Sequence, residues 1–397
     1  MIRIKDKEKC CGCAACFEVC PKKCIQMKED EEGFLYPEVD ENQCMGCGLC
    51  EKVCPMIEKY YNDSMKCDSY GAYSKNLEDR MASSSGGVFG IISSYVLERD
   101  GVVCGAAYDN EWNVSHILVD TSKELKRLRG SKYVQSINNG IYFLVKKELV
   151  KGRIVLYSGT ACQVAGLKKY LQKDYENLIT IDVLCHGVPT PKIWKKYINE
   201  IQMYNKSRIT NINLRNKTNG WRNYNVKICF ENNKNINEMF VENDYMKLFL
   251  NNICLRPSCH ACKYKELQRP SDITIGDYWG IEKQMPEMDD DKGTSIVKIN
   301  TNKGEAIFNE ISSEINYRKI DIELALPTTS DSRKSVARHS NREKFFRQID
   351  KKTVEQLVDL LKTSRWRRRV RKLKKYARLM IKRIREYNNY GICKRKS

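Results

Sequence analysis

The 397-residue sequence has no long hydrophobic run. Its first 20 residues are charged and rich in cysteine, unlike a secretory signal, and no later window approaches the roughly 20 apolar residues needed to cross a bilayer. These absences argue against a membrane-spanning protein and predict a cytoplasmic one. In that compartment cysteines serve metal and redox chemistry more often than disulfide bonds.

Acidic residues are almost missing from the C-terminus. Residues 365–397 hold fifteen Lys and Arg against one acid, Glu386, so they carry +14 of the net +20. The other 364 residues carry only +6, which argues against a uniformly basic nucleic-acid binder. Apolar residues recur there at steps of four and three, which predicts a basic amphipathic helix within 351–397. We expect it to dock on an anionic membrane surface at the inner face of the membrane, in a partner's groove or on the protein's own body.

Cysteine is abundant, with nineteen in the chain, and eight of these form two copies of one pattern. Each run reads C-x-x-C-x-x-C-x-x-x-C-P, the spacing that holds a pair of 4Fe–4S clusters, with the last cysteine of each run binding the other cluster. Zinc sites prefer ligands in pairs of pairs, and disulfides suit a secreted chain. The predicted ligand sets are Cys10, Cys13, Cys16 and Cys54 for one cluster, and Cys44, Cys47, Cys50 and Cys20 for the other.

The order of predicted elements divides the chain into four parts. Residues 1–58 form an α+β ferredoxin-like module. Strands then alternate with helices over residues 70–205, which predicts an α/β body with a mixed or partly parallel sheet. Residues 206–350 continue that body, and the basic helix of 351–397 follows.

Two loops in the body suit ligand binding. Residues 83–87 (SSSGG) precede an apolar helix, where backbone N–H groups suit a phosphate, although the loop is not a G-x-G-x-x-G fingerprint and a plain N-cap is the alternative. Residues 158–163 (SGTACQ) lie where a strand meets a helix, the edge at which open α/β sheets bind ligands. Cys162 there is either a thiolate stabilised by the helix or a small buried cysteine.

A third cysteine group, Cys254, Cys259 and Cys262, is one ligand short of a closed metal site. Cys185 is the favoured fourth ligand because it ends a strand at the same edge of the sheet. Zinc bound by three cysteines and one histidine is the alternative. The other candidates for the fourth position are Cys162, Cys229 and His260.

Five motifs occur in a fixed order: 85–89 (SGGVF), 129–135 (RGSKYVQ), 158–167 (SGTACQVAGL), 185–189 (CHGVP) and 272–280 (DITIGDYWG). Together they resemble the beta subunit of the coenzyme F420 hydrogenase/dehydrogenase family, in its version with a fused two-cluster ferredoxin, over residues 1 to about 350. Ala161 departs from the pattern, because relatives commonly carry Pro before the cysteine.

The resemblance implies a body that holds FAD and one 4Fe–4S cluster, the latter on Cys254, Cys259 and Cys262. It also implies flavin contacts at Ser85, Gly86, Gly87, Lys132, Ser158, Gly159, Thr160, Cys162 and Gln163. Fused bacterial members also occur where the deazaflavin coenzyme is not expected, so the hydride partner does not carry over.

The sequence therefore predicts an iron–sulfur flavoprotein oxidoreductase with two N-terminal clusters, a third cluster and FAD. It would pass electrons between a two-electron carrier, such as a deazaflavin or a nicotinamide, and the clusters, with a redox partner protein or small carrier. The catalytic candidates are Cys162 and Lys132. The alternatives are an electron-transfer subunit without its own substrate site, and an assembly protein whose clusters are structural.

Overall fold

The computed structural model describes residues 1–62 and 68–362. It contains a small two-stranded sheet near the N-terminus, an eight-stranded mixed sheet with helices, and a three-stranded sheet. The predicted fold class, a small α+β module followed by an α/β body with a partly parallel sheet, is confirmed. Of the basic helix predicted within 351–397, only residues 351–362 are described, and they include a short helix at Val354–Val358. The strongly basic stretch from 365 onward lies outside the described residues, and the domain limits at 58, 205 and 350 stay predictions. No helix within the described ranges is long and apolar enough to cross a membrane.

The N-terminal module is built from two similar halves. Its elements are α1 (Ala15–Val19), β1 (Ile25–Glu29), β2 (Leu35–Val39) and α2 (Leu49–Lys52). β1 and β2 pair antiparallel, from Ile25 opposite Val39 to Glu29 opposite Leu35. Each helix begins after a residue in the left-handed region, Ala14 (φ 66°) or Gly48 (φ 73°). These turns reverse the chain within each cysteine run and so bring its first three thiols together.

The body follows with strands and helices in alternation. Its strands are β3 (Ser69–Ser74), β4 (Val102–Tyr108), β5 (Val114–Val119), β6 (Val155–Thr160), β7 (Leu178–Val183), β8 (Ile209–Asn216), β9 (Asn225–Phe230), β10 (Asn235–Met239), β11 (Ile273–Asp277), β12 (Ser295–Ile299) and β13 (Ile315–Lys319). Its helices are α3 (Leu77–Ala82), α4 (Val88–Leu97), α5 (Ser122–Leu128), α6 (Ile141–Val150), α7 (Ala161–Leu171), α8 (Pro191–Asn205), α9 (Asp244–Leu250), α10 (Ile281–Gln284), α11 (Asn302–Glu310), α12 (Ile322–Ala325), α13 (Arg342–Gln348) and α14 (Val354–Val358).

The large sheet has the strand order β13-β3-β12-β11-β7-β6-β4-β5. Its four central strands, β11, β7, β6 and β4, are parallel to one another, whereas the outer strands pair antiparallel. The parallel strands end at one edge of the sheet, which therefore collects the residues that follow Thr160, Val183 and Asp277. We call this the carboxyl edge.

The core lies between the sheet and its helices. The apolar face predicted for α4 is buried, with Val88, Ile91, Ile92 and Val96 at most 4% exposed. The first three residues of β6 are fully buried, as expected for a strand covered on both faces. The three-stranded sheet formed by β8, β9 and β10 includes a third strand, β10, that the sequence did not predict, because its residues are mostly polar.

The module packs closely on α7 of the body. A Cβ built on Gly166 would lie 2.9 Å from Cys13 Cβ and 3.0 Å from Cys13 Sγ. Nearby, the Glu18 carboxylate accepts hydrogen bonds from the backbone N–H groups of Tyr142 (3.2 Å) and Phe143 (2.7 Å) at the start of α6. Burial raises the pKa of Glu18 to about 7 even though these N–H groups oppose the shift. Gly166 is therefore the residue that allows the first cysteine run to touch the body.

We expect Gly166→Ala to lower the free energy of unfolding by roughly 1–3 kcal/mol, since the added methyl group overpacks the contact with Cys13. The matched control is Gly90→Ala on α4, where a Cβ would lie 3.6 Å from the nearest atom of Arg129, an ordinary contact. That variant is expected to gain about 0.5–1 kcal/mol from lower backbone entropy in the unfolded chain. Chemical denaturation of both proteins checks the prediction, and equal effects of the two substitutions would contradict it.

Candidate cluster and cofactor sites

The eight cysteines of the N-terminal runs surround two cavities of similar size. Their members are those of the two sets predicted from the spacing, including the crossed fourth cysteine. The Cys10 cavity, of about 320 Å³, is lined by Cys10, Cys13, Cys16 and Cys54, together with Cys11. The Cys44 cavity, of about 360 Å³, is lined by Cys20, Cys44, Cys47 and Cys50, together with Cys24. Each cavity thus has the four thiols that a 4Fe–4S cluster requires, and one more.

The backbone around these cavities leaves room for a bulky group. Gly46 and Gly48 adopt φ values of 69° and 73°, and a Cβ at either position would meet no atom within 4 Å. The Ile2 N–H donates to Cys50 Sγ at 3.3 Å. Hydrogen bonds from backbone N–H groups to cysteine sulfur stabilise the negative charge of a thiolate.

A third cavity, of about 560 Å³, lies at the carboxyl edge of the large sheet. We call it the Cys185 cavity. Cys162 is on the first turn of α7, Cys185 follows β7, and Cys259 and Cys262 belong to a one-turn 3₁₀ helix, Pro257–Ala261, and its end. The cysteines that line this cavity are Cys162, Cys185, Cys259 and Cys262, together with Cys11.

The sulfurs of the Cys185 cavity have donors beside them. The Val188 N–H lies 3.5 Å from Cys259 Sγ, and the Tyr264 N–H lies 3.4 Å from Cys262 Sγ. Burial raises the pKa of the Cys185 thiol to about 12, although the nearby cations Lys265 and Arg269 oppose the shift. Within residues 1–62 and 68–362, no three His, Cys, Asp or Glu side chains are placed to hold a single metal ion. The thiols of Cys162, Cys185, Cys259 and Cys262 line one common cavity.

Cys254 does not line this cavity. Its side chain is fully buried in the hydrophobic core, in the same cluster as Tyr245 and Phe249. Of the other candidates for the fourth position, Cys229 lies on β9, and His260 Nδ1 is 3.1 Å from the carbonyl oxygen of Val336. The structure therefore brings Cys162 to the group formed by Cys185, Cys259 and Cys262 and leaves Cys254 outside it.

The three cavities follow one another in space. Cys11 and Met56 line both the Cys185 cavity and the Cys10 cavity. Ile2 lines the Cys10 cavity, and its N–H reaches the sulfur of Cys50 in the Cys44 cavity. Cys47, in the Cys44 cavity, is exposed. The series thus runs from the carboxyl edge of the body, through the module, to the surface.

A cluster of polar side chains around Arg215 lies at the carboxyl edge, beside the Ser/Gly loop. Arg215, at 3% exposure, donates to both carboxylate oxygens of Asp277 at 3.0 Å, to the Tyr133 hydroxyl at 3.0 Å and to the Ser84 carbonyl at 3.0 Å. Trp221 Nε1 also donates to Asp277, at 2.9 Å. Its ring stacks on Trp279 with 4.6 Å between centroids, and Trp279 is 47% exposed. This Arg215 centre joins the three motifs that contain Ser85, Tyr133 and Asp277.

The Arg215 centre places two buried basic side chains, Arg215 and Lys217, beneath the Ser/Gly loop. Burial disfavours the charged form of Arg215, but Asp277 more than compensates and raises its pKa. Lys217 Nζ donates to the carbonyl oxygens of Arg80, Ser85 and Lys292, and burial, with Arg80 and Arg215 nearby, lowers its pKa to about 7. Arg215 Nε is buried and has no hydrogen-bond partner among the described residues. A free buried donor beside these two basic side chains suits an anionic ligand such as a phosphate.

Most residues predicted to contact a flavin have protein partners. Ser85 Oγ donates to the Thr294 carbonyl, and a Cβ on Gly86 would lie 2.4 Å from the Ala72 carbonyl oxygen. Gly87, with φ 92°, is the N-cap of α4. Lys132 Nζ donates to the carbonyl oxygens of residues 127, 128 and 129, at the end of α5.

The 158–163 turn holds the start of α7. Thr160 and Gln163 form a capping box, with Gln163 Oε1 accepting the Thr160 N–H at 3.0 Å. A Cβ on Gly159 would lie 3.1 Å from Gln163 Oε1, so this turn is tightly packed. Cys162 and Thr160 line the Cys185 cavity. A role for these residues toward a flavin stays a prediction.

His116 links this turn to β5. Its Nδ1 lies 2.7 Å from Ser136 Oγ and its Nε2 lies 3.0 Å from the Ser158 carbonyl oxygen, so the neutral ring donates from Nε2 and accepts at Nδ1. Burial lowers the pKa of His116 to about 4 from the usual 6.5. The ring therefore holds the Ser158 backbone in place in its neutral form.

The unfolded chain takes up a proton on His116 near pH 6.5, whereas the folded protein resists until about pH 4. Stability is therefore expected to fall as the pH drops through this window, by on the order of 3 kcal/mol. His116→Gln should remove this contribution. Urea denaturation at several pH values between 4 and 7 measures it, and an unchanged slope in the variant would contradict the prediction.

Comparison with known families identifies the class of protein and then the family. Residues 9–56 match the description "4Fe-4S dicluster domain", so the chain is an iron–sulfur electron-transfer protein. Residues 69–141 and 152–323 match the N-terminal and C-terminal parts of "Coenzyme F420 hydrogenase/dehydrogenase, beta subunit". These two matches cover more than half of the chain, which therefore belongs to that family and carries the dicluster domain at its N-terminus. The resemblance seen in the five motifs is confirmed.

Among solved structures, the chain is similar to one from the xenon-derivatised F420-reducing NiFe hydrogenase complex from Methanosarcina barkeri, with 17% sequence identity and a TM-score of 0.44. The alignment covers 76% of this chain and 92% of that chain. No curated protein gave a significant match.

Proposed function

We propose that the protein is an iron–sulfur flavoprotein oxidoreductase that passes electrons between a two-electron carrier and a redox partner. The observation that carries the proposal is the series of three cavities, each lined by at least four cysteines, that leads from the carboxyl edge to the exposed Cys47. Membership of a hydrogenase/dehydrogenase family supports the redox role.

We assign one 4Fe–4S cluster to each cavity. The two N-terminal clusters take the crossed sets predicted from the spacing. The third takes Cys162, Cys185, Cys259 and Cys262, so that Cys162 replaces Cys254 in the set first predicted. Cys11 and Met56 line both the Cys10 cavity and the Cys185 cavity and therefore lie between the clusters assigned to these two cavities.

We place FAD at the carboxyl edge, between the Ser/Gly loop and the Cys185 cavity. A bound flavin exchanges electrons with both two-electron and one-electron carriers. Arg215 and Lys217 offer positive charge to its phosphates, and the free Nε of Arg215 offers a donor. Asp277 and Cys185 follow neighbouring parallel strands, which lie about 4.8 Å apart, so a group held at the Arg215 centre is next to the third cluster.

The two catalytic candidates take different parts in this proposal. Cys162 serves as a cluster ligand. Lys132 Nζ donates to three backbone carbonyls beside the 129–135 motif, and burial lowers its pKa to about 7, so it stays a candidate for proton exchange. The proposed substrate is a two-electron carrier. The reductants to compare by anaerobic visible spectroscopy are NADH, NADPH, reduced deazaflavin and, as a one-electron donor, reduced ferredoxin.

The test of the proposal is cofactor analysis of protein purified without oxygen. About twelve irons, an equal amount of sulfide and one FAD per chain are expected. About eight irons with no flavin would reject the proposal and favour an electron-transfer subunit that serves a partner. Clusters that dithionite does not reduce would instead favour a structural role.

A further inference from the structure

Arg256 is a fully buried arginine between two of the cysteine cavities. Its side chain lines the Cys185 cavity, and its guanidinium reaches the first cysteine run on the other side. Nε donates to the Cys10 carbonyl at 2.8 Å, and Nη2 lies 3.5 Å from Cys10 Sγ. The guanidinium thus touches a proposed ligand of one cluster while it borders the site of another.

The sequence around Cys10 is adapted to this arginine. A Cβ on Gly12 would lie 2.8 Å from Arg256 Nη1, so only glycine lets the guanidinium approach the turn of the cysteine run. The remaining donors of Arg256 go to Gln135 Oε1 at 3.0 Å and to the Leu35 carbonyl at 2.9 Å. Tyr36 packs on its flat face, with 4.3 Å to the ring centroid.

None of these partners is a carboxylate. The described residues include five buried arginines, and the other four each pair with an acid. These pairs are Arg80–Asp290, Arg215–Asp277, Arg269–Asp182 and Arg342–Glu32. A buried cation without a counter-charge is unstable, so Arg256 calls for a negative group that the protein's carboxylates do not supply.

We propose that Arg256 is the counter-charge of the iron–sulfur clusters on either side of it, and that it raises the reduction potential of the cluster bound through Cys10. This inference rests on the cluster assignment proposed above. Reduction adds one electron to the cluster and no proton, while Arg256 stays charged in both states. A fixed positive charge at this distance favours the more negative, reduced cluster, and the potential of such clusters depends on nearby charge and on hydrogen bonds to their sulfurs.

The test is a reductive titration of anaerobically purified protein, followed by electron paramagnetic resonance. In Arg256→Gln we expect the one-electron equilibrium of at least one cluster to shift at least tenfold toward the oxidised form, about 59 mV to lower potential. Arg256→Lys keeps the charge but not the planar fork of donors. In this variant the one-electron equilibrium constant of every cluster should stay within tenfold of the wild-type value. If the Gln variant does not fold, the Lys variant still tests the charge mechanism. A shift of any cluster's one-electron equilibrium by more than tenfold toward the oxidised form in Arg256→Lys would refute it.

The matched control is the double variant Glu32→Gln, Arg342→Gln. Arg342 is also a buried arginine at the contact between module and body, with Nη1 2.6 Å from Glu32 Oε1, but replacing both partners leaves the net charge unchanged. Its potentials should match those of the wild type. Equal shifts in the control and in Arg256→Gln would show a merely structural effect, and unchanged potentials in a fully loaded Arg256→Gln protein would overturn the inference.

Failure of the cluster assignment is recognised separately. It appears as fewer than about twelve irons in the wild-type protein, before any variant is made. Failure of the Arg256 inference appears only as unaltered potentials in protein that holds its full iron content.

Discussion

Replacing both Cys162 and Cys185 by alanine is expected to lower the iron content of the anaerobically purified protein from about twelve to about eight per chain. The two thiols come from different strand ends and line the same cavity. With two of its four ligands absent, the third cluster has no stable site. Iron and sulfide analysis measures the loss, and the total visible absorption of the clusters should fall by about a third, as expected when one of three clusters is absent.

The matched control is Cys254→Ala. Cys254 belongs to the C-x4-C-x-x-C spacing but lies in the hydrophobic core, away from the Cys185 cavity. This variant should keep about twelve irons. A loss of iron from Cys254→Ala as large as that from the double variant would restore Cys254 as a ligand and contradict the assignment of Cys162.

Replacing Asp277 by asparagine is expected to lower the free energy of unfolding by about 3–5 kcal/mol, the usual cost of leaving a buried charge without its partner. The Arg215 side chain is 2% exposed and depends on Asp277 for two of its hydrogen bonds. Trp221 loses its charged acceptor in the same step. Urea denaturation followed by tryptophan fluorescence measures the change. We also expect the folded variant to retain less flavin after desalting, since the Arg215 centre loses its geometry.

Glu343→Gln provides the contrast for this variant. It removes the partner of Arg347 from an ion pair whose side chains are 79% and 71% exposed. Exposed pairs contribute at most about 1 kcal/mol, so this variant should be nearly neutral. Similar effects of the two substitutions would mean that the Arg215 centre is solvated and does not organise the site.

Much of the fold follows from local patterns in the sequence. The apolar runs at 102–108 and 178–184 predict strands, which the structure has as β4 and β7, and the apolar face at 163–171 predicts a helix, which corresponds to α7. The secondary structure of these segments is easy to predict because each contains one unbroken apolar run or one clear apolar face. The region after residue 206 is harder, because β10 is a polar strand whose pairing with β9 depends on backbone hydrogen bonds rather than on side chains.

The two N-terminal cysteine runs differ from the third cysteine group in how the fold brings their thiols together. Within each run, three thiols lie within seven residues, so one left-handed turn is enough to bring them together. Cys162, Cys185 and Cys259 are separated by up to about 100 residues. Their meeting depends on β6 and β7 ending at the same edge and on a one-turn helix packing against it. Spacing favoured Cys254 because it is close in sequence, whereas the fold turns that side chain into the core.

The iron–sulfur redox family and the alternating architecture of the body can be recognised from the sequence alone, which also predicts the crossed pairing of the first eight cysteines. These features follow from cysteine spacing and apolar periodicity, which are patterns among residues close together in the sequence. The fold was needed to show which cysteines surround the third cavity, that the Arg215 centre joins three motifs, and that Arg256 lies buried without a carboxylate partner. Each of these features depends on long-range packing. The surroundings of a buried charge or thiol come from residues that are distant in sequence, so no local sequence pattern predicts them.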